Sequence, residues 1–255
     1  MGLFGNNERV AIGLGARRAR LLVGRGNGQV KQVFAGSREL PEGALRVGLR
    51  SPVINDRDGV VGALRELLGE ARTAGVLRRT PETVALLVAD GAFKMAVVPI
   101  EGAAPGRADG DRMARWLLRD LVPVEESEIR ADWTVLEATR EEGSSSSMLS
   151  VGGVDAVMAE YESLVAELGW TVGRLVPWSF AAAAAAAAAA QTLQEVATGS
   201  DVVTSAANDS LEEGRRDLIL CDADGTLGAL FQTDGIPRLH RAWRSPVTGE
   251  EVAAQ

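Results

Sequence analysis

The sequence predicts an α/β protein, with a large first lobe that carries a small inserted subdomain and a shortened second lobe after it. Three strand-like segments open the chain, at 9–14, 19–24 and 29–35. An apolar repeat of helical period follows at 58–75, and from there strands and helices alternate. Alternation of this kind is typical of a sheet covered by helices, which is the basis of the fold-class prediction.

The first lobe begins with a predicted antiparallel unit and one amphipathic helix. The glycines between Gly24 and Gly28 predict a hairpin turn, because glycine adopts positive φ without steric cost. The helix is expected to end at Gly75, and the continuous apolar run Thr83–Val88 suits a strand that is covered on both faces. The residues expected on the buried face of the helix are Val60, Val61, Leu64, Leu67, Leu68 and Ala71.

A small subdomain is expected as an insertion at about 92–146. It contains a predicted strand at 92–100, a helix at 111–122 and a returning strand at 129–138. Apolar spacing gives this helix an inward face, and both tryptophans of the segment are expected to fill the subdomain core. The inward residues are Met113, Trp116, Leu117 and Leu121, and the second tryptophan is Trp133.

Three further elements and an alanine helix complete the predicted first lobe. A strand at 148–151 and a helix at 154–168 precede a strand at 171–176. A run of ten alanines follows. Because alanine has the highest helix propensity, the run predicts a helix with Ser179 as its N-cap and Trp178 packed beside it.

The composition changes after the alanine helix. Residues 1–198 form the predicted first lobe, and 199–216 are polar and acidic, which indicates a linker or a long loop. A three-stranded meander is predicted next, so 217–255 is expected to be a truncated second lobe. The three strand-like segments lie at 218–222, 228–232 and 238–243.

The composition also narrows the classes of function. Hydrophobic residues are 46% and charged residues 24% of the chain, as in an ordinary soluble domain. The single Cys221 cannot form an internal disulfide, and the single His240, expected to be a surface or packing residue, argues against a histidine-rich metal centre. Residues 1–80 carry 14 basic and 7 acidic side chains, against 13 and 28 in the remainder, but without the aromatic-interleaved basic stripe of a nucleic-acid binder. We find no signal peptide and no membrane span, which favours a cytoplasmic location.

The segment Val10–Val23 predicts a strand, a tight glycine turn and a second strand. Actin-like ATPases open on a similar pattern, with an aspartate before the turn that holds the metal of Mg·ATP. Here that position is Gly13, and the turn continues through Gly15 and Ala16. Glycine supplies no carboxylate for a metal ion, so we interpret this turn as a vestigial phosphate site.

Most of the chain resembles the type IV pilus assembly protein PilM family, whose members are actin-like and related to FtsA. It is similar, more distantly, to the cytoplasmic part of the type II secretion protein GspL. The most specific match is the helix that ends in an apolar residue and a proline, followed by acidic residues and a returning strand. The matching segments are Met1–Gly5, Leu40–Leu45, Arg115–Pro123, Glu125–Glu126, Asp132–Trp133, 149–170 and Trp178–Ala181.

The resemblance implies both a fold and a role. The fold is an actin-like, ribonuclease H-like lobe with an inserted subdomain. The role is that of a cytoplasmic adaptor that binds the N-terminal tail of the inner-membrane protein PilN and links it to the assembly motor, an ATPase. An extended peptide held in a groove needs no catalytic residue, so the resemblance implies a protein that is not an enzyme, has no cofactor and meets the membrane through its partners.

The second phosphate turn of the family falls at 222–226. Asp222 matches the family aspartate, Asp224 occupies a glycine position where it would repel phosphate, and Gly225 and Thr226 complete the turn. The same residues also fit the first motif of haloacid dehalogenase phosphatases, with Asp222 as nucleophile and Asp224 as acid–base beside Mg²⁺. From 228 to 255 only 28 residues remain and none is lysine, so we interpret this match as coincidence.

Three alternatives to the adaptor stay open at this stage. One is an actin-like switch that keeps a weakened Mg·ATP site through Gly15 and Asp222. Another is a GspL-like component of type II secretion. The third is a phosphohydrolase that uses Asp222 and Asp224.

Overall fold

The computed structural model has the α/β fold that the sequence predicts. It describes residues 8–25, 31–77, 81–136, 146–184, 216–222, 226–233 and 236–244. The strands are β1 Glu8–Leu14, β2 Arg18–Arg25, β3 Lys31–Glu39, β4 Thr83–Val88, β5 Lys94–Pro99, β6 Ile129–Leu136, β7 Ser147–Val154, β8 Thr171–Pro177, β9 Arg216–Asp222, β10 Thr226–Thr233 and β11 Ile236–Arg244. The helices are α1 Arg57–Thr73, α2 Arg107–Leu118, α3 Asp155–Ala166 and α4, described at 178–184, with short 3-10 turns at Asp90–Ala92 and Glu126–Glu128.

The main sheet has five strands in the order β3-β2-β1-β4-β8. β1 to β3 form the predicted antiparallel unit, and β4 and β8 run parallel to β1. Successive side chains of a strand point to opposite faces, and β1 shows this clearly. Ile12 and Leu14 are buried in the main core, whereas Gly13 faces the other side of the sheet. The turn predicted at 24–28 lies mostly outside the described residues.

Helices α1 and α3 cover one face of this sheet. All six predicted core residues of α1 are buried, and the helix begins where the Asp56 carboxylate accepts the Gly59 N–H at 2.9 Å. The two helices are tied together by Arg57, which pairs with Glu167 and donates to Ser163 Oγ at 3.0 Å. This ionic contact joins the start of α1 to the end of α3 beside the shared core.

The small sheet has the order β5-β7-β6, and all its pairs are antiparallel. The central strand of this sheet is β7, at 147–154, which follows directly after the insertion predicted at about 92–146. The strand extends beyond the predicted 148–151 because it pairs with β5 along one edge and β6 along the other. The division of the whole chain into lobes stays a prediction.

The predicted inward face of α2 is wrong. The helix begins at Arg107, four residues early, and packs on the small sheet through Gly110, Ala114 and Leu118. Small residues let the helix approach the sheet closely, and Trp133 lies directly against Gly110 with its Nε1–H donating to Asp111 at 2.8 Å. Three of the four residues predicted to face inward are exposed instead. These are Met113, Trp116 and Leu121.

The third sheet has the order β11-β10-β9, the meander predicted after residue 217. It lies against β5 and against the 3-10 turn that joins β4 to β5. Leu230, in its middle strand, is fully buried. The predicted linker at 199–216 lies outside the described residues except for Arg216, the first residue of β9.

Gly110→Ala tests the close packing of α2. A methyl at Gly110 would overlap the Trp133 ring, so we expect a loss of about 1–3 kcal/mol in unfolding free energy. The control is Gly62→Ala in α1, where a methyl meets nothing within 4 Å and should add about 0.5–1 kcal/mol. Urea denaturation measures both, and equal effects of the same sign would contradict the packing described here.

Candidate functional site

The first predicted phosphate turn is a tight connection between β1 and β2. The Gly15 N–H donates to the Arg18 carbonyl oxygen at 3.0 Å, and Ala16 lies half-buried at its tip. Gly13 lies two residues before this turn, inside β1 and buried. The backbone pattern of strand, turn and strand is therefore present, and the question is what occupies the space beside Gly13.

The space beside Gly13 is filled by the indole of Trp178. A methyl built on Gly13 would lie 2.5 Å from Cζ2 and 2.7 Å from Cη2 of Trp178, far inside van der Waals contact. The Arg20 guanidinium covers the ring at 5.2 Å from its centroid, a cation–π distance. Trp178 is the first residue of α4, and its ring stands where an acidic side chain at position 13 would have to go. The residues of this turn therefore do not fit a metal-bound nucleotide held by an acid at that position.

A buried carboxylate lies next to this tryptophan. Asp90, at the end of β4, is 1% exposed, and its Oδ1 accepts the Ser179 N–H at 3.1 Å and the Ser179 hydroxyl at 3.0 Å. The carboxylate thus satisfies a free N–H in the first turn of α4, where negative charge is also favoured by the helix dipole. We predicted Ser179 as the N-cap, which would start the helix at 180, but α4 begins two residues earlier, at Trp178. The acceptor for the Ser179 N–H is Asp90, which lies far away in sequence.

His240 approaches the same carboxylate from β11. Its side chain is 3% exposed, its Nε2 lies 3.6 Å from Asp90 Oδ1, and its ring meets Phe180 edge-on at 6.1 Å between centroids. His240 is therefore a packing residue, the second of the two roles that we expected. The Nε2 to Oδ1 distance is longer than a hydrogen bond.

The Asp90, Ser179 and His240 cluster does not have the geometry of a nucleophilic triad. In such a triad histidine lies between serine and the acid, so that it can take the serine proton. Here the carboxylate lies between the two, and Ser179 donates its proton to Asp90 rather than to His240. The arrangement joins three elements, and it lacks the serine–histidine contact of that triad.

The second predicted phosphate turn joins β9 to β10. Asp222 is the last residue of β9, and Thr226 is the first residue of β10. Asp224 and Gly225 lie outside the described residues. The roles of these residues stay predictions. Among the described residues, no group of three or more His, Cys, Asp and Glu side chains could hold a metal ion.

A groove lies between the small sheet and the main sheet. Its volume of about 760 Å³ lies within the range of roughly 300–1,000 Å³ of ligand-binding pockets. One wall is the face of the small sheet opposite α2, where Asp132, Thr134 and Val151 lie. The other wall is β8, with Arg174 and neighbours, and β8 pairs with β4 alone among the described strands. The groove therefore exposes the free edge of a sheet.

Charged side chains of both signs line this groove. Arg130 donates to Asp155 Oδ1 at 2.6 Å and to Glu162 Oε1 at 2.5 Å. The hydrogen bond to Glu162, with the one to Asp155, raises the pKa of the Arg130 guanidinium against the opposing effect of burial. Arg174 is exposed on β8 and forms no ion pair with a described residue. Among the described residues, Arg174 thus presents a positive charge on the β8 wall without an ion-pair partner.

Sequence reasoning did not find Asp90 or the groove. Asp90 meets Ser179 across 89 residues of sequence, and no local pattern marks such a contact. The groove is formed by segments from β6, β7, α3 and β8, which are adjacent only in the folded chain. A buried aspartate directly after an apolar strand was the available signal, because an acid there needs a partner.

The chain has an actin-like α/β fold, the fold class that the sequence resemblance implied. No family model and no curated protein matches the sequence. Among solved structures, the chain is similar to a chain of the PilM-PilN type IV pilus biogenesis complex, with a TM-score of 0.69 and 16% identity. That match covers 96% of this chain and 63% of the other, so this chain spans less than two thirds of that protein.

A second match is the cytoplasmic domain of EpsL, an inner-membrane component of the type II secretion system of Vibrio cholerae. Its TM-score is 0.50 at 14% identity, and the match covers 93% of this chain and 71% of the other. At such identities the likeness establishes the fold, and the fold confirms the resemblance at that level. Within the part of the chain that the structure describes, no helix is long and apolar enough to cross a membrane.

Gly13→Ala tests whether Trp178 fills the space beside β1. We expect a loss of about 1–3 kcal/mol in unfolding free energy, because the added methyl overlaps the indole. In a Trp178→Leu background the same substitution should cost much less, since the ring atoms it would meet are gone. A chemical-denaturation cycle of the four proteins measures this coupling, and additive effects would refute the contact.

The Asp90 contact to α4 has its own test. Asp90→Ala should cost about 3 kcal/mol in unfolding free energy, since it leaves the two donors of Ser179 buried without an acceptor. Ser179→Ala should cost about 1 kcal/mol alone and nearly nothing when Asp90 is already alanine. Asp58→Ala, at an exposed acid in the first turn of α1, is the control and should change stability by about 0.5 kcal/mol.

Proposed function

We propose that this chain is a non-enzymatic adaptor of a type IV pilus assembly machine. It acts at the cytoplasmic face of the inner membrane, where it holds the N-terminal tail of a PilN-like membrane protein and couples that protein to the assembly ATPase. The observation that carries the proposal is the groove of about 760 Å³ beside the free edge of β8.

The groove suits an extended peptide better than a compact ligand. A free sheet edge presents unpaired backbone N–H and C=O groups, and a peptide can add to it as a further strand. The wall across from β8 supplies both apolar and polar contacts, so alternate side chains of such a peptide would meet different surfaces. Around the whole groove the apolar lining includes Val151 of the small sheet, Met158 of α3 and Phe180 of α4, and the polar lining includes Arg130, Asp132 and Thr134 of β6.

The structural likeness supports the identity of the partner. The matched solved structure is a complex of PilM with PilN, and this chain matches it over 96% of its own length. The partner, the location and the link to the motor are therefore carried over from that likeness as part of the proposal. The tail would reach the groove from a membrane protein, so the adaptor would need no membrane segment of its own.

The loss of the nucleotide site supports the absence of enzyme activity. Two changes coincide at the first turn: the acid is absent at Gly13, and Trp178 fills the space it would take. An acidic side chain introduced at position 13 alone would collide with the Trp178 indole. We infer that the Trp178 side chain fills the space beside Gly13, and that this turn binds neither a nucleotide nor a metal ion.

A second candidate is a component of a type II secretion system. The specific observation in its favour is the match to the cytoplasmic domain of EpsL, at a TM-score of 0.50. The higher score of 0.69 for the pilus complex favours the pilus machine. The two candidates share the adaptor role and differ in which membrane protein supplies the peptide.

Peptide binding tests the proposal directly. We expect the purified chain to bind a synthetic peptide copied from the cytoplasmic N-terminal tail of the PilN-like protein of the same cell. Thr134→Trp places an indole into the groove from an exposed position and should weaken binding by about tenfold or more, a change of about 1.4 kcal/mol. Isothermal titration calorimetry measures the affinity.

Thr73→Trp is the matched control. It makes the same substitution at an exposed position at the end of α1, away from the groove, and should leave peptide affinity unchanged. Binding that is equally strong in both variants would place the peptide elsewhere. Binding of the tail of a type II secretion protein in place of the PilN-like tail would select the second candidate.

A further inference from the structure

Charged side chains line the groove between the small sheet and β8, and most of them are already paired. The Arg130 guanidinium donates to the carboxylates of Asp155 and Glu162. The Asp132 carboxylate accepts from the Arg107 guanidinium at 3.3 Å. The charged residues that line the groove are Arg130, Asp132, Glu162 and Arg174.

The Arg174 side chain is the exception. It is exposed on β8, and it forms neither an ion pair nor a hydrogen bond with a described residue. A guanidinium is always charged and presents a planar fork of N–H donors. Among the described residues that line the groove, the charge left without a counterion is therefore positive and lies on the β8 wall.

A bulge in β8 places Arg174 on the outer side of the main sheet. The residues on either side of Gly173 pair with consecutive residues of β4, so Gly173 is an extra residue in β8. Val172 and Leu175 both pack against the main core, although residues three apart in a regular strand point to opposite faces. The bulge allows both to face inward, and Arg174, next to Leu175, consequently points away from the core.

Elsewhere the charged clusters of the groove contain more acid than base. The Arg130 guanidinium is shared by two carboxylates. Arg107 is shared by Asp111 and Asp132. Each cluster thus has one more carboxylate than guanidinium, so an acidic ligand group would be repelled there and attracted to β8.

The position of Arg174 favours a carboxylate that belongs to a peptide. A small free anion would meet a single guanidinium on an exposed strand, which is a weak site in water. A peptide that lies along β8 is held by its backbone and by its other side chains, and it can bring an acidic side chain to Arg174 at the same time. In an N-terminal tail that carboxylate is an aspartate or glutamate side chain.

We infer that Arg174 is a specificity-determining residue of the groove, and that its ligand is an extended peptide with an aspartate or glutamate side chain directed at β8. The inference rests on the proposed function and deepens it, because it fixes the charge of one peptide side chain. A guanidinium binds a carboxylate with two parallel hydrogen bonds, so the groove selects an acid at that peptide position over a neutral or basic residue.

Charge reversal on both sides of the contact tests the inference. The probe is the synthetic N-terminal tail peptide of the PilN-like protein of the same cell, and isothermal titration calorimetry measures its Kd. Arg174→Glu should raise the Kd about five- to tenfold, because an exposed ion pair is lost and a repulsion replaces it. Replacing each acidic residue of the peptide by lysine in turn should identify one whose loss weakens binding to the wild-type chain by a similar factor. That lysine peptide should bind Arg174→Glu to within about threefold of the original pair, since opposite charges face each other again.

Arg65→Glu is the matched control. Arg65 is exposed on α1, does not line the groove and has no ion pair with a described residue, and the substitution changes the net charge equally. This variant should bind the original peptide like the wild-type chain. An equal loss of affinity in Arg65→Glu would show that Arg174→Glu acts through net charge alone, and it would overturn the inference.

The remaining outcomes separate this inference from the proposed function. If Thr134→Trp weakens binding and Arg174→Glu does not, the peptide lies in the groove but Arg174 does not read it, and only the inference is overturned. The same conclusion holds if the bound tail contains no acidic residue, or if no lysine peptide restores binding to Arg174→Glu. If the wild-type chain does not bind the tail, or Thr134→Trp has no effect, the proposed function fails and the inference fails with it. Circular dichroism of each variant confirms that the fold is unchanged.

Discussion

The buried carboxylate of Asp90 is the interaction on which the rest of the arrangement depends. It lies in the 3-10 turn where the chain leaves the main sheet for the small one, it caps α4 through Ser179, and it meets His240 of the third sheet. A carboxylate that is only 1% exposed needs hydrogen-bond donors in place of water. Here the donors come from α4, another element of the fold. Trp178, the residue before Ser179, is thereby fixed against Gly13. Asp90 therefore contacts both the start of α4 and the third sheet.

The groove follows from the same anchor. β8 runs directly into α4, so the fixed start of α4 also fixes the end of β8, the strand that forms one wall. The opposite wall belongs to the small sheet, which begins just after Asp90. Both walls of the groove are therefore connected to the segment around Asp90, and among the described strands only β4 pairs with β8. The filled space beside Gly13 and the groove along β8 can occur together in one fold, because one involves the β1 to β2 turn and the other the small sheet and β8.

Sequence patterns predicted a helix or strand well where one face of it is buried and its large apolar residues mark that face. The six buried residues of α1 follow the helical period, and β4 is the continuous apolar run predicted at Thr83–Val88. The pattern failed on α2 because the helix packs on the sheet through Gly110 and Ala114. A pattern based on large apolar side chains does not detect a buried face made of such small residues. The tryptophan and methionine that looked like a core face are instead the exposed one. Neither Asp90 nor the groove had a local signal, since both depend on contacts between distant segments.

The absence of an acid at position 13 can be interpreted only when the contents of the space beside that position are known. Glycine at position 13 removes a carboxylate, and by itself this would leave a cavity or a water-filled site that could still accept an anion. The indole of Trp178 fills that space, and its own position is held by the Arg20 contact and by Asp90 bonding the next residue. Glycine and tryptophan are therefore one packing solution rather than two independent losses, because either residue alone would leave a void or a collision. An acidic side chain could therefore enter at position 13 only together with a change at Trp178, and this coupled packing is the physical argument behind the proposed non-enzymatic role.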